Sequence, residues 1–309
     1  MRTLDGAEER EPPTDHEAAP DRAAAVGAAT PLVVPDLPPG RDVELPEGTV
    51  HLREASGPDG SPAAILLHGW TATADLNFFR VYEPLSEHVR VLAFDHRGHG
   101  RGLRSRRLFR LEDCADDVVA LADAIGLDRF VAVGYSMGGA VAQLLWQRHR
   151  ERLVGLVLCA TAPHFNRQRN ERLSFLGLTG LAAVARYTPA QLRRWLTSQL
   201  YLQRKTSTWQ PWAVEEAARH DWRMVLEAGR ALGGFRADEW LGDVDVPTSV
   251  VITMKDHVVP VRRQMLLFEE IPTAAAFRVD GHHDAAIAVP GRFVPTAVAA
   301  IHSVLERAS

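Results

Sequence analysis

Cysteine, lysine and long apolar runs are all scarce in this chain, and each shortage argues against a class of protein. The two cysteines, Cys114 and Cys159, fall in stretches that read as a helix and a buried strand. A disulfide framework is not expected, no Cys/His spacing suggests a metal site, and a reducing compartment is the default. No uninterrupted apolar run reaches the roughly 18 residues that a membrane-spanning helix requires. The start, Met1-Arg2-Thr3-Leu4-Asp5, leads into acidic Ala/Pro-rich sequence without the apolar stretch of a secretory signal, so the expected location is cytoplasmic. Lysine occurs only at Lys205 and Lys255, leaving arginine as the main basic residue. The net charge of −4 gives no general attraction to nucleic acid or to an anionic membrane.

What is present fits a folded globular chain. The 309 residues are 46% hydrophobic, enough for one large core or two modest ones. Residues 1–42 are rich in Ala, Pro, Glu and Asp and poor in aromatics, and read as a disordered tail. Beyond it, strands are expected at 49–54, 63–67, 89–94, 130–134, 153–159, 248–253 and 276–279. Several are continuous β-branched and Leu-rich runs, suited to burial on both faces. Helical patterns cover 111–125, 137–149, 262–270 and 293–306. The alternation predicts an α/β fold, a mostly parallel central sheet flanked by helices, built from 43–161 and 241–309. Residues 162–240 break the alternation and read as a helical cap insertion. It holds Trp195, Trp209, Trp212, Trp222 and Trp240, five of the seven tryptophans. Those rings either line an apolar pocket or pack helix on helix.

The strongest chemical signal is Gly134-Tyr135-Ser136-Met137-Gly138-Gly139, between the apolar run Phe130-Val131-Ala132-Val133 and a helical pattern. This is G-x-S-x-G in a strand–turn–helix context. A serine lifted off a strand end needs a tight turn and an unusual φ/ψ. Gly134 and Gly138 remove Cβ atoms that would clash across that turn, and Gly139 lets the helix approach the strand. The helix start directs backbone N–H groups at any anion formed beside Ser136. His68-Gly69-Trp70 follows the strand Ala64-Ile65-Leu66-Leu67 and supplies a second such donor. The candidate oxyanion donors are therefore the Trp70 and Met137 amides.

A serine hydroxyl needs a base, and the base needs an orienting acid. The run Val250-Val251-Ile252-Thr253-Met254-Lys255-Asp256 ends in a carboxylate at a strand's carboxyl end, where open α/β sheets place their chemistry. The competing position, Thr161-Ala162-Pro163-His164, holds no carboxylate, which points to Asp256. The base lies in Asp280-Gly281-His282-His283-Asp284, and the residues alone leave His282 and His283 open. The arginine runs Arg101, Arg104, Arg106, Arg107 and Arg110, and Arg167, Arg169 and Arg172, read as solvated loops.

These segments, together with Asp95-His96-Arg97-Gly98-His99-Gly100, resemble the α/β-hydrolase superfamily in its esterase-like branch. The likeness runs from about residue 43 to the C-terminus, broken by the insertion. It implies that Asp95 to Gly100 is a structural turn. Relatives place a proline seven residues after the catalytic histidine, and Pro290 stands so after His283, which the resemblance therefore favours. Haloalkane dehalogenases and epoxide hydrolases of this fold carry aspartate where Ser136 stands. The expected activity is hydrolysis of a carboxylic ester or related acyl bond of a small apolar molecule. Ser136 would be the nucleophile, His283 the base and Asp256 its orienting acid, with no metal or organic cofactor required. C–C bond hydrolysis, perhydrolysis and acyl transfer use the same triad, and a non-catalytic ligand receptor is the alternative of another class.

Overall fold

A computed structural model describes residues 33–165 and 210–308. The expected tail as far as residue 32 lies outside the described residues, as do Arg167, Arg169, Arg172, Trp195, Trp209 and the rest of 166–209. Eight strands form one sheet: β1 (Gly40–Leu45), β2 (Gly48–Ala55), β3 (Ala63–Leu67), β4 (Arg90–Phe94), β5 (Phe130–Tyr135), β6 (Leu153–Cys159), β7 (Thr248–Thr253) and β8 (Ala274–Val279). Their spatial order is β1-β2-β4-β3-β5-β6-β7-β8. The β1/β2 and β2/β4 pairs are antiparallel and the other pairs parallel. The described helices are α1 (Ala74–Phe78), α2 (Tyr82–Ser86), α3 (Leu111–Ala124), α4 (Met137–His149), α5 (Gln210–Ala218), α6 (Trp222–Gly234), α7 (Val261–Glu270), α8 (Ala285–Ala288) and α9 (Pro290–Ala308).

Strand residues alternate between two apolar layers, because successive side chains leave a strand on opposite faces. Ile65, Leu67, Leu92, Phe94, Ala132, Leu156 and Leu158 pack with Cys114 and Val118 of α3 and with α4. Ala64, Leu66, Val91, Ala93, Val131, Val133, Val157 and Cys159 pack with Phe78, Leu85 and Phe293 on the other side. Double coverage explains why these strands are apolar at every position.

The elements differ from the expectation in two respects. The strand β1 was not expected, and it places Gly40 to Asp42 in the sheet rather than in the tail. Its pattern is half polar, with only Val43 and Leu45 buried, as suits an edge strand paired on one side. The short helices α1, α2 and α8 were also missed, being too brief for a 3.6-residue period to register.

The chain runs from β3 outward to β4 on one side, then returns to lay β5 on the other. The carboxyl ends of β3 and β5 therefore flank the point where strand order reverses, where such sheets leave a crevice. The turn after β4 braces this region. Asp95 accepts from the Ala74 amide at 2.7 Å and from the Arg101 amide at 2.7 Å, tying α1 to the β4 loop. Arg97, only 3% exposed, forks onto Asp117 of α3 at 2.6 and 2.8 Å. Asp95 and Arg97 thus hold the loop in shape, the role the resemblance implied for this turn. Arg101 departs from the solvated reading, whereas Arg104 stays exposed yet gains a partner. Arg101 bonds Glu216 of α5 at 2.7 Å, and Arg104 donates to the Arg219 carbonyl at 2.7 Å. A carboxylate on α5 and a carbonyl just beyond its end give these guanidinium groups partners that sequence proximity does not reveal.

The ends of the segment that departs after β6 meet again, with the Ala237 amide donating to the Pro163 carbonyl at 2.9 Å and an antiparallel bridge from His164 to Arg236. Among the described residues no helix is long and apolar enough to cross a membrane. Arg97→Met leaves Asp117 buried without its partner and should cost on the order of 3–5 kcal/mol. A lowered urea midpoint at constant slope is the readout. Adding Asp117→Leu should recover most of the loss, and an unchanged midpoint in the single variant would show that the pair is solvated.

Candidate active site

Ser136 sits between the last residue of β5 and the first of α4 with φ 54 and ψ −114, a region that residues other than glycine rarely occupy. Neighbouring groups hold it there. Its amide donates to the Cys159 carbonyl at 2.9 Å, and its carbonyl accepts from the Thr161 hydroxyl at 2.7 Å and the Gly139 amide at 2.9 Å. The surrounding glycines are demanded by close approach. A Cβ on Gly134 would stand 2.3 Å from the Gly138 carbonyl oxygen, across the turn as expected. A Cβ on Gly138 would instead strike the Leu67 carbonyl oxygen at 2.0 Å, so that glycine serves the packing of α4 against the end of β3.

The hydroxyl faces an imidazole. His283 Nε2 lies 3.0 Å from Ser136 Oγ, and His283 Nδ1 lies 2.8 Å from Asp256 Oδ2. The carboxylate can only accept there, so Nδ1 carries hydrogen and Nε2 presents its lone pair to the serine. His282 is exposed, with its ring 5.8 Å from that of His257. The fold thus brings together Ser136, Asp256 and His283, and leaves His282 aside.

Asp256 is buried and saturated. Its Oδ1 accepts from the Val258 and Val259 amides at 2.8 and 2.9 Å, and its Oδ2 from Thr253 Oγ1 at 2.8 Å and Gln264 Nε2 at 3.2 Å, besides His283. Burial pushes this carboxyl up, but the His283 bond, with the Val259 amide and Thr253 hydroxyl, prevails and holds it below its usual range. Thr253 and Gln264 were not singled out in the sequence. The available signal for Gln264 was a lone polar residue on the buried stripe of α7, whose other fully buried position is Leu267. Tyr135 was missed too. Its hydroxyl donates to the His283 carbonyl at 2.7 Å and fixes the backbone of the imidazole loop.

On the other side of Ser136 lies the turn after β3. Gly69 abuts the serine so closely that a Cβ there would lie 3.4 Å from Ser136 Cβ. The Gly69 carbonyl accepts from His68 Nδ1 at 2.8 Å and from the Ala72 amide at 3.3 Å. That carbonyl and the Trp70 N–H belong to one planar peptide and point opposite ways, so fixing the oxygen aims the N–H. His68 Nε2 accepts from the His96 amide at 2.9 Å, which selects the Nδ1–H form of the neutral ring. No described residue accepts from the Trp70 or Met137 backbone amide. Met137 opens α4, where helical N–H groups have no intrahelical partner.

The chain matches the alpha/beta hydrolase fold family over residues 62–284 and belongs to that family. It is a hydrolase-class enzyme on that fold. Among curated relatives, "Putative carbamate hydrolase RutD" of Agrobacterium fabrum is 28% identical over 259 residues, spanning 79% of this chain and 95% of that protein. "Bifunctional esterase/perhydrolase DCH" of Acinetobacter calcoaceticus is 32% identical over 108 residues, 35% of this chain and 39% of that protein. Among solved structures, the enol-lactonase from Burkholderia xenovorans LB400 superposes with a TM-score of 0.73 at 20% identity, covering 85% of this chain and 100% of its own. At such identity the likeness speaks to fold alone.

Beside the site, four buried histidines touch in sequence: His68 lies 4.5 Å from His96 and 5.2 Å from His99 by ring centroids, and His99 lies 5.3 Å from His220. Burial pushes His68 down to about 4 and His220 to about 3, and His96 and His99 well below their ordinary value of 6.5. Among the described residues no three potential ligands gather as a metal site. The neutral rings carry a pH cost. Below about 6.5 the unfolded chain binds protons that the folded chain refuses, so stability is full above that value and declines toward the depressed folded values. The urea midpoint should therefore fall between about pH 7 and about pH 4.5. It should fall less in His96→Leu, which removes one of the four titrations. Equal slopes in the two proteins would contradict the assignment.

Proposed function

We propose that this chain is a serine hydrolase that cleaves a carboxylic ester or related acyl bond of a small apolar molecule through an acyl-enzyme. The reading is carried by one observation, the 3.0 Å contact of His283 Nε2 with Ser136 Oγ while Nδ1 faces the buried Asp256. Ser136 attacks the carbonyl carbon as its proton passes to His283, and Asp256 stabilises the imidazolium and its orientation. Charge gathers on the carbonyl oxygen, where the Trp70 and Met137 amides donate. His283 returns the proton to the leaving group, then draws one from water to release the acid and free serine.

The same machinery suits a carbamate, whose carbonyl also carries a heteroatom leaving group. The coverage of 95% of a relative named for carbamate hydrolysis favours that class as the second substrate. In this reading residues 40–161 and 241–309 form the catalytic core and 162–240 cap it, which the paired ends at Pro163 and Ala237 support. The enzyme works in the cytoplasm on a small molecule, without a cofactor.

Ser136→Ala should abolish labelling by a fluorophosphonate and reduce kcat/KM for p-nitrophenyl acetate by at least about a thousandfold. His283→Ala should match it, while His282→Ala stays within a fewfold of wild type. The reverse pattern for the two histidines would reassign the base. A wild-type protein that takes no label and cleaves no ester, lactone or carbamate would overturn the reading.

A further inference from the structure

The HGWT turn after β3 contains a conformational oddity. Thr71 has φ 62, although a β-branched residue disfavours the left-handed region strongly. The Ala72 amide bonds the Gly69 carbonyl, closing a four-residue turn with Thr71 at its third place, where a positive φ ordinarily calls for glycine. Something must hold threonine in a glycine's conformation.

One group in position to do so comes from far along the chain. His220 stands at the corner between α5 and α6, buried at 4% exposure. Its Nε2 lies 3.2 Å from the Thr71 carbonyl oxygen, and its Nδ1 lies 2.9 Å from the Gly100 amide nitrogen in the β4 loop. The two partners have opposite character. An amide only donates and a carbonyl only accepts, so both contacts are satisfied by one form alone, the neutral ring with hydrogen on Nε2. Burial, which disfavours the charged ring, keeps that form in place. The corner is fastened to the same loop on either side of the histidine. The Asp221 amide donates to the Gly98 carbonyl at 2.8 Å, and Arg104 bonds the Arg219 carbonyl. Nearby, the Trp70 indole donates to the Val225 carbonyl of α6 at 2.6 Å. The α5–α6 corner thus grips the turn at the residue that offers the backbone amide and at the residue after it.

We propose that His220 is a positioning residue for the oxyanion donor: by holding the Thr71 carbonyl it keeps the turn in its left-handed form and the Trp70 amide aimed at Ser136. The proposal rests on the reading of Trp70 as a donor in a serine hydrolase. It assigns to the α5–α6 segment a share in catalysis distinct from enclosing a substrate.

Four variants test it with p-nitrophenyl acetate and a fluorophosphonate. His220→Ala should lower kcat by up to about a hundredfold, the scale of an ångström's misplacement, with KM nearly unchanged. Thr71→Gly in the His220→Ala background should restore most of that loss, because glycine adopts the required φ unaided. A bracing role for the corner would not respond to that second change. If His220→Ala does not fold, the comparison passes to two milder replacements. His220→Gln keeps a donor at the Nε2 position and should hold kcat within a fewfold, whereas His220→Asn, which reaches only Gly100, should show the larger loss. Wild-type kcat in His220→Ala, a loss that Thr71→Gly leaves untouched, or the opposite order of Gln and Asn would overturn the proposal. Absence of wild-type hydrolysis and of Ser136 labelling would instead overturn the parent reading.

Discussion

The arrangement depends on a serine backbone kept at φ 54 between β5 and α4. Left to itself that conformation costs on the order of 1–3 kcal/mol, and it persists only where the surroundings over-determine it. Here they do. The Ser136 amide and carbonyl are engaged by Cys159, Thr161 and Gly139, and the glycines at 134 and 138 allow β5, α4 and the end of β3 to approach without a Cβ between them. The result sets the hydroxyl outside the plane of the sheet, where an imidazole from beyond β8 can reach it. Two buried apolar layers, one per face, make the sheet stiff enough to hold that position.

A second set of constraints runs through neutral imidazoles. His68 donates to Gly69 and accepts from His96, while His220 donates to Thr71 and accepts from Gly100. Each ring is a two-ended connector between the β3 turn and the β4 loop, with a polarity set by the partners rather than by pH near neutrality. A lysine or arginine could donate at both ends but accept at neither, so neither could complete both bonds as a neutral imidazole does.

Much of this was visible in the sequence, for physical reasons. Strands buried on both faces betray themselves as uninterrupted Val, Leu and Ile, and the glycines around Ser136 mark a turn that only a crowded strand–helix junction requires. Asp256 could be placed because its strand ends at a carboxylate. The choice between His282 and His283 could not be made from local chemistry, since two adjacent residues of one loop share composition and differ only in direction. The supporting residues were hidden more deeply. Thr253, Gln264 and Tyr135 act through contacts made only after β7, α7 and the imidazole loop are packed, and no spacing along the chain announces them. The edge strand β1 and the five-residue helices α1 and α2 escaped because their patterns are too short or too polar to carry a period.

The bond from the Ala237 amide to the Pro163 carbonyl has an evolutionary consequence. A segment of more than seventy residues leaves the sheet and rejoins it where its ends pair, so its gain, loss or exchange need not disturb strand register. Lineages descending from such a scaffold can remodel that segment while inheriting the strands and the residues they carry. His220 sets the limit on that freedom, for a replacement segment that omits it surrenders a fastening of the β3 turn.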